Sequence, residues 1–518
     1  MRSGMKEDEQ LMKEYLGILR LEHILEKLEK LSLKQKLVVL VLIWCLIFIP
    51  SIIDHSYLQR NDHYQFYPNT GGPDNYRNPG WNITTYPVNF DNTTENGLLS
   101  IEVKNGEEVR FEWIWNKDPS QGAHVGTVDV LIRSSNDNWE LIQLRRTNNT
   151  SEKEVWSKEI RFNEDKKLEY YYRVGQTDIP TYDRRASIIL DGKNPYEETR
   201  TGPPPLIHFF FIPPTLLTAP MSLGGAFLSF NIYFSLFVLL DSLLLFYGIK
   251  KFDESKAYLA SIIFILNPIT ILTVHQDEPI IVFLMILPLF LLMQNRRFIS
   301  SLSVGFGAVA KIWTAFWIPV LMISKGVRKI RYIVVVILSG LSVFLLFILM
   351  WGEKVLWFLT FYGGTADKQN IGGISFWNFG MKMLGIDGNV LPTTLVLIGI
   401  ALMELFVWWL AWKKEWKPIP TIVSFFVVFL ALYPKIHWEY ILLLLPFLGI
   451  LASERSVFLK LFYAITVISA VTMFLGRLDK GLMFLPFIFS VLLSLLFLYV
   501  LIKIYKEAGK ISDISFDE

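Results

Sequence analysis

Cysteine is almost absent from this chain, since Cys45 is the one cysteine among 518 residues. No intrachain disulfide can therefore form, and cysteine usage does not indicate a redox compartment. A strong charge of either sign is also absent, because the formal net charge is only +2. This small net charge says nothing about nucleic acid, because the positions of the charges matter more than their sum. No nucleic acid is among the predicted partners.

A cleavable signal peptide is not expected either. The first apolar run begins only at Leu37, and no small-residue cleavage site follows it. Residues 1–36 are charged and have helical periodicity, which predicts an amphipathic helix on the cytoplasmic membrane surface. We predict the first transmembrane helix over residues 37–53.

Hydrophobic residues, in contrast, are abundant. They make up 52% of the chain, with 39 Phe and a mean hydropathy of +0.37. Apolar runs of about 18–25 residues match a bilayer core, where lipid tolerates only helices or closed barrels. We predict a polytopic α-helical membrane protein with about 10–12 membrane helices. After the first, the predicted spans are 229–249, 256–274, 278–294, 331–351, 391–411, 419–434, 438–452, 456–475 and 482–504.

Residues 54–176 are polar and rich in β-forming residues. Five segments alternate like strands, namely LLSIEVKNGEEVRFEWIW, GTVDVLIRS, NWELIQLRR, EVWSKEIRF and KLEYYYRV. They predict an external antiparallel β-sandwich. Its aromatic residues suit either a sugar-binding module or simply the core of a structural cap. Four Asn-x-Ser/Thr sequons agree with an external position, at Asn82, Asn92, Asn148 and Asn149.

The distribution of Lys and Arg predicts the sidedness of the membrane domain. When the spans are counted in order from an external β-domain, these residues concentrate in the loops on the inner side. Both termini and the tail 507–518 are therefore predicted to be cytoplasmic. The segment 298–324 has basic residues at both ends but is too short for two crossings. We therefore predict a re-entrant hairpin that turns near Ala310–Ile312. The expected domains are a first catalytic loop with an interfacial helix, 177–228, and a transmembrane catalytic domain, 229–506.

Four polar regions then fall on the predicted external side: Thr177–Arg200, His275–Glu278, Trp351–Asn389 and Pro434–Tyr440. In the second, Asp277 and Glu278 are adjacent carboxylates that could hold a metal, position a sugar hydroxyl or orient a base. A short solvated turn is the simpler interpretation. Asn267–Pro268 predicts a kink in the preceding span.

Lys311 is a cation in the middle of an apolar segment, which is costly and indicates either a function or an internal partner. It could bind an anion such as a lipid phosphate, or it could pair with Asp241 or Glu404, which also lie within spans. In YPKIHWEY, Lys435 and His437 offer cationic or hydrogen-bonding groups beside interfacial aromatics. A plain interfacial anchor is the alternative there.

These regions together resemble the GT-C glycosyltransferases. The series TDIPTY…ILDGKNPY…GPPPL is similar to the first external loop of mannosyltransferase-like members. HQDEP resembles their second acidic loop, GAVAKIWTAFWIP their Lys-containing hairpin, and YPKIHWEYILLLLP a later Lys and Tyr element. The order of all four motifs agrees over roughly residues 175–455.

The resemblance implies an inverting transferase with a polyprenyl-phosphate or dolichyl-phosphate hexose, mannose-like, as donor. It implies Asp178 as the general base, with Asp183 as a second candidate and Asp277 or Glu278 orienting the acceptor or the base. The expected contacts to the donor phosphate and sugar are Lys311, Lys435, His437, Tyr440, Arg184 and Gln276. The acceptor would be a glycan or a lipid-linked molecule, and membrane lipids surround the protein.

The sequence also departs from this family. The β-rich insertion is not found in its simplest members, and no DxD pair occurs in the Thr177 stretch, so a divalent cation (Mg²⁺ or Mn²⁺) stays open. The WWDYG signature of oligosaccharyltransferases is absent. A transporter or flippase with an external β-domain is the main alternative, although no internal repeat supports it. A sugar-binding receptor with a membrane anchor is a third interpretation.

Overall fold

The computed structural model describes most of the chain with gaps. The described residues are 30–58, 64–67, 81–86, 99–116, 127–134, 140–149, 153–175, 178–198, 202–218, 225–324, 327–356, 371–386, 393–476 and 483–507. The predicted surface helix over 1–36 and the predicted tail over 507–518 therefore lie almost entirely outside the described residues. Among the sequons, Asn92 lies outside them as well, while Asn82 and Asn148–Asn149 fall in strands.

The first span is helix α1, Leu33–Ile53. Ser32 begins it with a capping box, because its side chain accepts from the Gln35 amide while the Gln35 side chain accepts from the Ser32 amide. Lys36 is buried at its start and pairs with Glu254 at 2.6 Å. This contact holds the first span against a later part of the membrane region.

The region after α1 forms two antiparallel sheets. The strands are β1 Tyr64–Tyr67, β2 Trp81–Tyr86, β3 Leu99–Val103, β4 Glu108–Asn116, β5 Thr127–Ser134, β6 Glu140–Gln143, β7 Arg145–Asn149, β8 Lys153–Arg161 and β9 Lys166–Gly175. One sheet has the order β1-β9-β5-β6, with β3 also pairing β9. The other has the order β2-β4-β8-β7.

A single hydrophobic core joins these two sheets. It contains Phe111, Trp113 and Trp156 from one sheet and Tyr170 and Tyr172 from the other, all nearly inaccessible to solvent. All five predicted strand segments form strands, so the antiparallel sheet region is confirmed. Strands β1 and β2 were not predicted from the sequence. The aromatic residues pack mainly as core, the simpler of the two interpretations.

The rest of the described chain is helical. The helices are α2 Asp178–Leu190, α3 Pro195–Glu198, α4 Ile207–Phe210, α5 Ile212–Thr218, α6 Gly225–Lys250, α7 Glu254–Ile265, α8 Pro268–Leu272, α9 Glu278–Met293, α10 Arg297–Ala310, α11 Trp317–Ile323, α12 Ile330–Trp351, α13 Phe376–Leu384, α14 Thr393–Lys413, α15 Pro418–Leu432, α16 Ile441–Glu454, α17 Ser456–Leu475 and α18 Phe484–Glu507. A two-residue parallel ladder joins β10, Gly372–Gly373, to β11, Lys435–Ile436.

Six helices among the described residues are long and apolar enough to cross a membrane, or seven when one bent pair counts as a span. Five further apolar helices are shorter, with 10–17 residues. The polytopic helical class is confirmed. The predicted spans shorter than 18 residues, such as 278–294 and 419–434, correspond to shorter apolar helices, Glu278–Met293 and Pro418–Leu432.

The bent pair shows the predicted kink. Glu254–Ile265 and Pro268–His275 meet at 50°. Asn267 stabilises the break, because its Oδ1 accepts from the Ile269 amide at 2.9 Å and its Nδ2 donates to Thr466 Oγ1 at 2.8 Å. Asn–Pro thus ends one helix and begins the next at a defined point.

The predicted break near Ala310–Ile312 is also present. Helix α10 ends at Ala310, Lys311 is extended (φ −155°, ψ 136°), and a 3₁₀ turn over Ile312–Phe316 leads into α11. Gly307 lets this turn fold back, since a Cβ there would lie 2.6 Å from Thr314 Cγ2. Lys311 therefore sits at the junction of two short apolar helices.

Candidate functional site

Helix α2 presents three polar side chains on one face. Asp178, Tyr182 and Arg185 are spaced four and three residues apart, which aligns them along a helix. The composition of this stretch predicts a loop, so the shared face is a finding of the structure. Asp183 and Arg184 fall on other sides of the same helix.

The centre of the candidate site is an ion cluster around Lys311. Its Nζ lies 2.9 Å from Asp277 Oδ1 and 3.0 Å from Glu278 Oε1. All three residues are buried, with 4%, 4% and 8% exposure for Asp277, Glu278 and Lys311. Both carboxylates stand at the N-terminus of α9, where the helix dipole also favours negative charge. Burial makes the pairing obligatory, because a lone charge there would be strongly destabilising.

This pairing corrects one expectation. Neither Asp241 nor Glu404 is the partner of Lys311. The partners, Asp277 and Glu278, belong to the acidic turn, His275–Glu278. Asp241 and Glu404 keep both carboxyl oxygens buried without a hydrogen-bond partner among the described residues.

Tyr182 joins α2 to this cluster. Its hydroxyl donates to Asp277 Oδ1 at 3.1 Å and lies 3.4 Å from Gln276 Oε1. Its ring stacks on Phe211 with centroids 4.2 Å apart. Burial, followed by the negative charges of Asp178 and Asp277, raises the pKa of Tyr182 well above its usual value. The phenol therefore stays protonated and serves as a hydrogen-bond donor.

Asp178 begins α2 and is partly exposed. Within the described part of the chain, its carboxylate makes no side-chain hydrogen bond or ion pair, but it acts electrostatically on Tyr182, Arg185 and Glu439. Arg185 is buried, and burial lowers the pKa of its guanidinium while Tyr182 and Asp178 oppose that shift. Asp178 is thus a carboxylate near the Lys311 cluster that makes no hydrogen bond to any of its described members.

The loop between α15 and α16 packs on the same turns. The Tyr440 ring lies 4.9 Å from Trp313, next to the Lys311 break, and 5.4 Å from His437. Trp438 lies 6.3 Å from His275. The contacts thus bring the Lys435–Tyr440 segment beside both the acidic turn and Lys311.

The predicted polar region Trp351–Asn389 contacts the Lys435 segment through strand β10. Gly372 and Gly373 pair with Lys435 and Ile436 in a parallel ladder. Trp377 Nε1 also donates to the Leu432 carbonyl at 2.8 Å. Of the predicted region Trp351–Asn389, residues 357–370 and 387–389 lie outside the described residues. The described part anchors the Lys435 segment.

Glu439 is a site residue that the sequence analysis missed. It lies between Trp438 and Tyr440, and its Oε2 is buried without a hydrogen-bond partner among the described residues. Burial, followed by the charge of Glu278, raises its pKa to about 8. The sequence signal was an acid inside an aromatic motif, but its burial depends on tertiary packing.

Two predicted site residues lie apart from the cluster. Arg184 donates to Gln143 Oε1 and, at 3.1 Å, to the Leu144 carbonyl, so it ties α2 to the sheet region. Asp183 is on a different face of α2 from Asp178. Arg184 is thus bound to the sheet region, and Asp178, on the face of Tyr182 and Arg185, is the better placed of the two aspartates.

Metal binding has no evident site in the described residues. They contain no group of three or more His, Cys, Asp or Glu side chains that could hold an ion. The carboxylates of Asp277 and Glu278 instead share the Lys311 ammonium.

The comparisons with known proteins address the same region. Residues 203–434 match the model of glycosyltransferase family 87. The predicted resemblance to GT-C glycosyltransferases is confirmed over this segment, which includes the acidic turn and Lys311. Asp178 lies before the matched segment and Glu439 after it. No curated protein matches the sequence.

Two solved structures are similar to the chain. One is ArnT from Cupriavidus metallidurans bound to undecaprenyl phosphate, with 14% identity and a TM-score of 0.37 over 63% of this chain and 72% of that one. The other is the same protein in the apo state, with 13% identity and a TM-score of 0.35 over 64% and 73%.

Proposed function

We propose that this chain is a membrane glycosyltransferase that transfers a hexose, mannose-like, from a polyprenyl-phosphate or dolichyl-phosphate sugar to an acceptor hydroxyl. The observation that carries the proposal is the buried Lys311–Asp277–Glu278 cluster, which Tyr182 joins to the helix of Asp178. The cluster lies within the segment that matches a glycosyltransferase family.

Asp178 is the proposed general base. In an inverting transfer the acceptor hydroxyl loses its proton to a carboxylate as its oxygen attacks the anomeric carbon. The bond from that carbon to the phosphate oxygen breaks, and polyprenyl phosphate leaves with the electron pair. Asp178 suits this role because no described residue neutralises its carboxylate directly, whereas Lys311 neutralises Asp277.

The acidic pair is proposed to position substrate. Glu278 uses Oε1 for Lys311, while Oε2 is buried without a partner among the described residues. A sugar or acceptor hydroxyl could donate to that oxygen and satisfy it. Asp277, held by both Lys311 and Tyr182, fixes the geometry of the pair.

The leaving phosphate needs positive charge. Lys435 and His437 are the proposed contacts, since their loop packs beside the cluster, and Tyr440 and Gln276 line the same region. Lys311 and Arg185 contribute positive potential from buried positions. Lys311 alone is a weaker candidate for direct contact, because two carboxylates already surround its ammonium.

A lipid-linked donor follows from the expected location. The positive-inside pattern predicts that the site faces outward, where nucleotide sugars are not supplied. A donor there must arrive attached to a lipid that diffuses in the bilayer. The acceptor is proposed to be a glycan or a lipid-linked molecule.

The test is transfer by purified protein from a radiolabelled polyprenyl-phosphate mannose to lipid-linked and free glycan acceptors. Asp178→Asn should lower turnover by about 10²–10⁴-fold, the usual contribution of a general base. Asp191→Asn is the matched control, since Asp191 is exposed just after α2. Full activity in Asp178→Asn would rule out the mechanism. Movement of the lipid across the membrane without sugar transfer would support a flippase instead.

A further inference from the structure

A second polar site lies at the far end of helix α10 from Lys311. There a cavity of about 650 Å³ opens between α10 and α12. Its lining is Asn295, Arg297, Phe298, Arg331, Tyr332 and Val335. Among these described lining residues, two carry a guanidinium group and none carries a carboxylate. None of these residues takes part in the proposed transfer.

The two helices that line the cavity pack closely beyond it. A Cβ on Gly305 would lie 2.0 Å from Ser339 Oγ and 2.4 Å from the Val336 carbonyl, so only glycine permits this approach. The first residues of α10 and of α12 both line the cavity. Further along α10, Gly305 packs against Val336 and Ser339, which lie one to two helical turns further along α12. The helices therefore run side by side in the same direction, with both N-termini at the cavity. The positive ends of both helix dipoles add to the charge of the arginines.

The arginines are arranged to bind an anion. Arg331 Nη2 donates to Tyr332 Oη at 3.0 Å, and the guanidinium lies 4.9 Å from the centroid of that ring. This contact orients Arg331 and uses one of its five N–H donors, and the described residues show no further hydrogen bond or ion pair of this side chain. The Tyr332 hydroxyl, which accepts from Arg331, keeps its own proton to donate. Guanidinium groups match the oxygens of phosphate with paired hydrogen bonds.

Exposed apolar side chains flank the cavity, as expected of a site that binds a membrane lipid. Phe298 is 58% exposed and Ile330 is 76% exposed, and both flank the arginines. Exposed apolar side chains on transmembrane helices face acyl chains, whereas Arg near a helix end reaches the headgroup layer. A ligand with a phosphate at one end and hydrocarbon at the other satisfies both surfaces.

We propose that this cavity binds the phosphate of an anionic phospholipid, with Arg297 and Arg331 as the charged contacts and Tyr332 as an additional donor. The chemistry of the site is phosphate recognition, and its lipid-facing flank identifies the source as the bilayer. Helix α10 has 14 residues, so the site lies about 20 Å from Lys311. It is separate from the candidate active site and does not depend on the proposed function.

Native mass spectrometry of the full-length protein in a neutral detergent tests the proposal. Phosphatidylglycerol is titrated against phosphatidylcholine, with inorganic phosphate added in a third series. We expect phosphatidylglycerol to bind more tightly than phosphatidylcholine, and Arg297→Gln/Arg331→Gln to weaken it by about tenfold or more, the scale of losing charge-assisted hydrogen bonds. Arg296→Gln is the control, because Arg296 is an exposed neighbour outside the cavity lining; its affinity should stay within about twofold of the parent chain.

The results of these titrations support or overturn the lipid site as follows. Equal phosphatidylglycerol binding by the double variant and the parent chain would overturn the proposal. Displacement of the lipid by millimolar inorganic phosphate would show a site for free phosphate and overturn the lipid assignment. Should the double variant not fold, Arg331→Lys serves: it keeps the charge but loses the paired geometry, and a several-fold weaker affinity supports the proposal. Parent-like affinity in Arg331→Lys would then count against it.

Discussion

Tyr182 donates a hydrogen bond to Asp277 Oδ1 at 3.1 Å across 95 residues of sequence. The same oxygen accepts from Lys311 at 2.9 Å. One carboxylate oxygen therefore joins α2, the turn before α9 and the break after α10. We predict that this oxygen helps to fix the position of Asp178 relative to Asp277 and Glu278.

Tyr182→Phe tests that dependence. The ring would keep its stack on Phe211 but lose the hydroxyl, so α2 would be less firmly oriented against Asp277. We expect turnover to fall by about 10- to 100-fold, because a hydrogen bond to a charged group contributes roughly 1.5–3 kcal/mol. Steady-state transfer kinetics measure this. Tyr247→Phe, at a 42% exposed position, is the control and should keep parent activity. Unchanged kcat in Tyr182→Phe would show that the link does not position Asp178.

Lys311→Met tests the ion cluster. The substitution leaves two adjacent buried carboxylates without their cation, which should destabilise the protein by about 3–5 kcal/mol. Adding Glu278→Gln and Asp277→Asn should restore part of the stability, since the uncompensated charges are then removed. Thermal unfolding in detergent measures both.

The control for this test is another lysine pair. Lys354 and Glu197 are 3.1 Å apart, but their side chains are 58% and 51% exposed. Lys354→Met should therefore cost at most about 1 kcal/mol. If Lys311→Met were as mild as Lys354→Met, the buried cluster would not be an ion pair in solution.

Local sequence signals predicted local structure well. Asn267–Pro268 predicted a kink because proline cannot continue a hydrogen-bonded helix and Asn caps the next one. Alternation of apolar and polar residues predicted strands β3 to β9, because this two-residue period can be read from each short segment alone. The predicted short spans 278–294, 419–434 and 438–452 agree with α9, α15 and α16 to within three residues at each end, because the apolar runs end where the helices do.

Long-range pairings were not predictable. Lys311 had acids available in several spans, and only helix packing selects Asp277 and Glu278 over Asp241 and Glu404. The shared face of Asp178, Tyr182 and Arg185 was present in the spacing but hidden by the loop-like composition of the stretch. Burial of Glu439 is a tertiary property that no local pattern carries.

Glu439 should give stability a dependence on pH. Burial raises its pKa in the folded protein to about 8, against a usual value of 4.5. Between these values the folded state holds a proton that the unfolded state has lost, so stability should fall as pH rises through this window and level off above it. Glu439→Gln should remove this component of the slope. Unfolding midpoints from pH 5 to 9 measure it, with Glu353→Gln at an exposed position as the control. Parallel profiles for parent and Glu439→Gln would contradict the burial of this carboxyl.

Gly373→Ala tests whether the β10–β11 ladder positions the Lys435 segment. Gly373 has φ +63°, and a Cβ there would lie 1.9 Å from the Ile436 carbonyl oxygen, so alanine must push the two strands apart. Gly385 is a matched control with φ +65° and nothing within 4 Å of the added atom. Both substitutions incur the left-handed backbone cost of about 1–2 kcal/mol, but only Gly373→Ala displaces Lys435 and His437. We expect the KM for the lipid-linked donor to rise about tenfold in Gly373→Ala, the scale of a weakened charged contact, and to stay near the parent value in Gly385→Ala. Equal KM values in the two variants would show that the ladder does not hold the donor-binding groups in place.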